Sequence, residues 1–177
     1  MRVLLLGAGS SRDKRIRIRE DEPQDWSDDQ IVTLDCNGSH HPDVVFDLES
    51  GPWPFDSDSF DRVDAYEILE HLGQQGDPIT FFRDFGQAWR VLKAGGHLCA
   101  TVPLWSSMWA WGDPSHKRVI NRGSLVFLCQ PEYRKQKGHT AMSDLRHLWF
   151  RDFDIIAAEE TGESFAFVLQ AVKPARL

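Results

Sequence analysis

The stretch from Pro54 to Pro103 constrains the fold of this chain more than any other, because its hydrophobic period changes twice within fifty residues. The run PFDSDSFDRVDAY begins as a turn rich in Asp and Ser. It then alternates around Val63 and Ala65, which predicts a strand over Arg62 to Tyr66. Asp77-Pro78 reads as an N-cap followed by proline at the first helical position, and Ile79, Phe82, Phe85, Trp89 and Leu92 recur at helical spacing. Lys93 to Gly96 is expected to end that helix, with glycine free to take a left-handed C-cap conformation, and HLCATVP continues as a second strand. Strand, amphipathic helix and strand make a βαβ unit in a parallel sheet. Such sheets bind ligands beyond the carboxyl ends of their strands, which is where Glu67, Ile68, Glu70 and His71 fall.

The N-terminal region supports the same architecture. Arg2 to Leu6 is an apolar run entering Gly7-Ala8-Gly9-Ser10-Ser11, as a buried strand does when it leads into a glycine loop close to a ligand. Arg12 stands where the third glycine of G-x-G-x-x-G would be, which argues against NAD. Ile31 to Asp35 is a second strand. Asp35 at its end suits either a ribose diol or the turn at Asn37-Gly38. Asp43 to Leu48 reads as a third strand ending at Asp47, itself a candidate for either ligand contact or turn capping.

Composition narrows the class. The chain has 177 residues, 41% hydrophobic and 27% charged, enough for one core, so a single domain over residues 1–177 is expected. Its net charge of -7 argues against a partner held mainly through phosphates. No apolar run is long enough for a signal-peptide core or a membrane span, and Cys36, Cys99 and Cys129 read as reduced thiols, so a cytoplasmic location is expected. Cys36, His40 and His41 cluster in sequence but lack a partner cluster, and no metal site is expected. Arg12 to Gln30 is dense in charge and reads as a solvated loop, with a lid over the glycine loop as the sharper alternative.

Two runs carry a resemblance: FDSDSFDRVDAYEILEHL and WRVLKAGGHLCATVP, with Ser59-Phe60-Asp61, Leu69-Glu70-His71 and Arg90-Val91-Leu92-Lys93 in order. They resemble the region around the fourth and fifth strands of class I S-adenosylmethionine-dependent methyltransferases of the type 11 kind. Ala94 replaces the commoner proline, and Leu5 stands where the family usually carries an acidic or amide side chain. Asp113-Pro114-Ser115-His116-Lys117-Arg118 resembles a D-P-x-H-x-R element of a small phage and bacterial subgroup.

The resemblance implies a single α/β, Rossmann-like, doubly wound and mostly parallel sheet with a C-terminal antiparallel hairpin. It implies S-adenosylmethionine as cofactor, bound by Gly7, Ala8, Gly9, Asp35, Cys36, Asp47, Leu48, Glu67, Ile68 and Glu70. The methyl acceptor, a small molecule by preference, would meet Trp105, Trp109, Trp111, Asp113 and Arg118. His116 and then His71 are the candidates for a general base, since histidine titrates nearest neutrality; a structural histidine is the competing reading for each. An inactive cofactor-binding subunit is the alternative function, which Leu5 would permit.

The remaining expectations are local. Trp105, Met108, Trp109 and Trp111 are too many for one face of a short helix and should cover the site or meet another chain. Asn121 should cap a short helix, Gln130 to Ser143 should be loop, and Phe153 to Ala158 with Phe165 to Val172 should form a hairpin.

Overall fold

The computed structural model describes residues 1–12, 16–17 and 30–177; most of the expected loop or lid over Arg12 to Gln30 therefore lies outside the described residues. The strands are β1 (Val3–Leu6), β2 (Ile31–Asp35), β3 (Val44–Val45), β4 (Phe60–Tyr66), β5 (Leu92–Pro103), β6 (Phe153–Thr161) and β7 (Ser164–Ala171). They form one seven-stranded sheet in the order β3-β2-β1-β4-β5-β7-β6. Strands β1 to β5 pair in parallel, and β7 inserts antiparallel between β5 and β6. The expected mixed α/β sheet with its terminal hairpin is present. The parallel register sets Leu4 beside Val63 and Leu6 beside Ala65, so one face of β1 and β4 feeds the main core.

Helix α1 (Pro78–Val91) covers that face with Phe82, Phe85, Ala88 and Val91. The Asp77 carboxylate accepts hydrogen bonds from the Ile79 and Thr80 N–H groups and so starts the helix. Ile79, expected on the apolar stripe, is 68% exposed instead. At about 100° per residue it points roughly 150° away from the centre of the stripe formed by Phe82, Phe85, Ala88 and Val91.

Three other expectations are corrected. The helix passes directly into β5 at Leu92, whose backbone is extended, so Lys93 to Gly96 belongs to the strand rather than to a glycine C-cap. A Cβ on Gly96 would come within 2.9 Å of the Asp61 carbonyl oxygen, beside the irregular register between Phe60 and Arg62, so this glycine permits close approach of β5 to β4. Strand β3 covers only Val44–Val45 rather than Asp43 to Leu48, since β2 ends at Asp35 and offers no further partner. The segment after Gln130 is not all loop. Helix α4 (Gln130–Gln136) buries Tyr133, whose hydroxyl donates to the Ser143 carbonyl and accepts from the Leu145 N–H.

Two short helices, α2 (Met108–Gly112) and α3 (Arg122–Val126), lie between β5 and α4. Asn121 caps α3 as expected, within a reciprocal capping box with Ser124. On the opposite face of the sheet, Val3, Leu5, Ile31 and Tyr66 form a smaller cluster against which Ile16 packs. Among the described residues no helix is long and apolar enough to cross a membrane.

Candidate active site

The glycine loop leaves β1 with Gly7 and Gly9 at φ of +58° and +55°, conformations in which a side chain is strained. A Cβ on Gly7 would lie 2.7 Å from the Ile68 side chain, whereas one on Gly9 would enter open space. Gly7 thus lets the segment after β4 close against the loop after β1. Asp35 at the end of β2 fixes the other side: its carboxylate accepts from the Gly9 N–H at 2.8 Å and from the Asn37 N–H at 2.8 Å. Burial works against its ionisation, yet those N–H groups and the neighbouring His40 outweigh it and hold the carboxyl below its usual range. Carboxylate oxygens have lone pairs to spare, so Asp35 can hold the loop and still accept from a ligand hydroxyl.

A second group forms where β4 ends. Glu67 takes a left-handed backbone conformation (φ +52°) while its N–H bonds the Thr101 carbonyl, so the chain turns sharply out of the sheet into the short 3-10 turn Leu69–His71. This is backbone strain at a strand end facing the ligand side. The loop after α2 folds back on that turn, because the N–H groups of Lys117 and Arg118 both bond the Glu70 carbonyl.

The same fold brings the imidazoles together, with ring centroids of His71 and His116 4.7 Å apart. Nδ1 of His71 lies 3.2 Å from the Ser115 carbonyl oxygen, and Nδ1 of His116 lies 2.8 Å from that of Trp109. A carbonyl can only accept, so each Nδ1 carries the hydrogen and each neutral ring keeps its lone pair on Nε2. Nε2 of His116 is 4.0 Å from Glu70 Oε1 and 3.9 Å from Asp113 Oδ2.

Glu70 is 2% exposed, neither of its carboxylate oxygens has a well-formed hydrogen bond, and the Glu67 carboxyl lies close enough to interact with it. Burial pushes its carboxyl well above the usual carboxylate range, and the negative charges of Glu67 and Asp113 act in the same direction. Burial, and then the neighbouring His116, lowers the His71 ring. Asp113 is held below its usual range by hydrogen bonds from the Ser115 hydroxyl and N–H. Among the described residues, Glu70, His71 and His116 are the group able to converge on a metal ion, rather than Cys36, His40 and His41.

Three solved structures share this arrangement of strands and helices. A methyltransferase dependent on S-adenosylmethionine from Archaeoglobus fulgidus matches with a TM-score of 0.56 at 15% identity, over 96% of this chain and 85% of that one. A putative methyltransferase from Haloferax volcanii, solved in complex with the Trm112 methyltransferase activator, matches at 0.54 and 15% identity, over 96% and 82%. An S-adenosylmethionine-dependent methyltransferase from Mesorhizobium loti matches at 0.52 and 13% identity, over 96% and 90%. The chain has the class I methyltransferase fold. No protein-family model matches the sequence, and no curated protein does.

Within the class I fold, the other candidate residues divide by position. Ala8 is buried in the glycine loop, where its N–H bonds the Leu34 carbonyl. Cys36 is exposed beyond Asp35. Asp47 is exposed and accepts from the Glu49 N–H, while the Leu48 side chain is buried in the main core. Trp105, Met108, Trp109 and Trp111 are all exposed, with the Trp111 indole donating to the Trp105 carbonyl.

Arg118 points elsewhere. Its guanidinium bonds Thr80 and lines a cavity of about 470 Å³ with Phe81, Phe82, Phe127 and Leu145. That lining does not include the glycine loop, Asp35 or Glu70.

The sequence reading passed over Glu49 and Trp149. Glu49 accepts from the Gly73 N–H and pairs with Lys117, tying the turn after β4 to the loop after α2. Trp149 is buried between Phe82 and Phe153 and donates to the Leu128 carbonyl. Glu49 had no sequence signal beyond its charge, whereas Trp149 lies in the apolar pair Leu148-Trp149 just before a predicted strand.

Proposed function

We propose that this protein is an S-adenosylmethionine-dependent methyltransferase whose cofactor lies across the ends of β1, β2 and β4. The observation carrying this reading is the tie between the Gly9 N–H and the Asp35 carboxylate, beside open space over Gly9, in a class I methyltransferase fold. Gly7, Ala8 and Gly9 would pass beneath the cofactor, and Asp35 would accept from the ribose hydroxyls, with Cys36 next to it. The chain at Asp47 and Leu48 would flank the adenine. Glu67, Ile68 and Glu70 would border the methionine portion.

The reactive methyl group belongs to the cofactor, so the protein has to bind, align and exclude water. Holding acceptor and methyl in line is worth on the order of 7 kcal/mol or more in well-oriented systems. The acceptor, a small molecule, would enter beside Trp105, Trp109, Trp111 and Asp113, with Arg118 supporting the loop from behind. His116, or else His71, would take the acceptor's proton on the Nε2 lone pair left free by its backbone-bound Nδ1.

Calorimetry with S-adenosylhomocysteine and NAD side by side tests the cofactor assignment. Binding of the first alone is expected, and binding of NAD alone would overturn the reading. A screen of small molecules with isotopically labelled methyl donor then identifies the acceptor.

A further inference from the structure

We infer that Glu70, His71 and His116 form a binding site for a divalent transition-metal ion, which activates an oxygen acceptor for methylation. The two rings each offer a nitrogen and Glu70 a carboxylate oxygen, and these atoms lie within 4.8 Å of one another. Each ring has its Nδ1 hydrogen fixed on a backbone carbonyl, Ser115 for His71 and Trp109 for His116. That is the outer support by which metal-bound histidines are oriented, and it leaves Nε2 as the donor atom.

Glu70 supplies the independent observation. A carboxyl buried with no well-formed hydrogen bond on either oxygen must either keep its proton or meet a positive charge, and a bound cation is the partner that would hold it ionised. Asp113, 3.9 Å from His116 Nε2, adds a further oxygen at the rim. No arginine or lysine forms an ion pair with Glu70 among the described residues; its near neighbour is histidine at 4.0 Å.

Bonds of about 2.0–2.2 Å to nitrogen and oxygen would set ligand atoms roughly 3.0–3.5 Å apart, so the widest separation has to shorten by roughly 1.3–1.8 Å, shared between two side chains. Two imidazoles with one carboxylate favour zinc, manganese or iron over magnesium, which prefers oxygen ligands and keeps its waters. Three protein ligands leave a coordination position open for the acceptor.

The catalytic part of the inference rests on the methyltransferase reading; the binding part does not. With both Nε2 lone pairs on the ion neither ring is the base in this arrangement, so the ion takes over the activating role given above to histidine: a hydroxyl of the acceptor ligated to it loses its proton to solvent. The resulting oxygen anion forms a bond to the methyl carbon as the carbon–sulfur bond of S-adenosylmethionine breaks, and sulfur keeps the electron pair, leaving neutral S-adenosylhomocysteine. The substrate class is therefore an alcohol or phenol, and the product is a methyl ether.

The test uses the full chain stripped with EDTA and dialysed. ZnCl₂ and MnCl₂ are titrated separately by calorimetry, and Co²⁺ uptake is followed by its visible absorption. One ion per chain is expected, with Glu70→Gln, His71→Ala and His116→Ala each weakening binding by about tenfold or more. His40→Ala should bind as the parent does. Glu70→Gln keeps the shape of the side chain, so its result stands even where a histidine variant melts early. An unmodified protein that takes up none of these ions, or variants that bind like the parent, would overturn the site. S-adenosylhomocysteine binding is measured on the same metal-free sample. Cofactor binding without any ion uptake defeats the metal inference alone, whereas ion uptake without cofactor binding defeats its catalytic half along with the methyltransferase reading.

Discussion

Gly7 and Ile68 meet face to face: a Cβ on Gly7 would lie 2.7 Å from the Ile68 Cδ1, so the turn after β4 seats itself where the first glycine of the loop has no side chain. Gly7→Ala therefore faces two separate penalties. The positive φ costs roughly 1–2 kcal/mol for a residue with a Cβ, and the overlap adds about 1–3 kcal/mol. The double variant Gly7→Ala, Ile68→Ala should recover most of the second part, since only the Ile68 Cβ at 3.1 Å remains, and none of the first. Thermal or urea unfolding of the parent, both single variants and the double variant reads this directly, and additive losses would refute the contact.

Asp35 makes stability depend on pH. Its folded-state carboxyl sits below the ordinary value of about 3.9, so the stabilisation is complete above that value. As pH falls through the ordinary range towards the lower folded value, the unfolded chain takes up the proton first and the contribution disappears. Asp35→Asn should lose about 1–3 kcal/mol at pH 7, because an amide turns at least one donor towards an N–H group. Its stability should then fall less steeply than the parent's between about pH 5 and pH 3. Urea midpoints at pH 7, 5, 4 and 3 compare the two slopes, and parallel curves would return Asp35 to a passive turn residue.

Much of the fold was legible because burial writes itself into periodicity. Val63 and Ala65 in β4, the Phe82, Phe85, Trp89 series in α1 and the alternation in β7 each announce their element without help from the rest of the chain. What depended on distant partners was hidden. Strand β3 is short because β2 ends, α4 is held by Tyr133 reaching Ser143 and Leu145, and Gly96 answers to the Asp61 carbonyl. The candidate site divides in the same way. Gly7, Gly9 and Asp35 could be read from strand ends, but the meeting of Glu70 with His116 relies on backbone bonds from Lys117 and Arg118 to Glu70, and backbone bonds leave no mark on residue type.

Arg62 and Asp64 carry a buried ion pair on the sheet face that packs against Ile16, with side chains 1% and 3% exposed and Nε 2.5 Å from the carboxylate. The Arg62 guanidinium also donates to the Tyr66 hydroxyl. Removing one partner leaves a charge with little solvent, a loss of about 3–5 kcal/mol for Asp64→Leu. Replacing both, as Arg62→Met with Asp64→Leu, should cost clearly less than Asp64→Leu alone, because no charge is stranded. Denaturant unfolding of the three variants checks it, and a double variant weaker than the single one would show that the pair is a net stabiliser in its own right.

His116 separates binding from turnover. The loop that carries it is held by main-chain bonds, from the His116 N–H to the Asp113 carbonyl and from the Lys117 and Arg118 N–H groups to Glu70, none of which needs the imidazole. His116→Ala should therefore leave the loop in place and S-adenosylhomocysteine affinity close to that of the parent. Turnover of the acceptor found by the screen should fall by about 10²-fold or more, the scale of a positioned general base. Asp113→Ala, which removes the Ser115 bonds and the carboxylate 3.9 Å from His116 Nε2 but keeps both rings, should give a smaller loss and so serves as the comparison. Calorimetry and steady-state kinetics on the two variants measure both quantities. If His116→Ala turns over as fast as the parent while cofactor affinity is unchanged, the ring has no part in the chemistry, and its bond to the Trp109 carbonyl is its whole purpose.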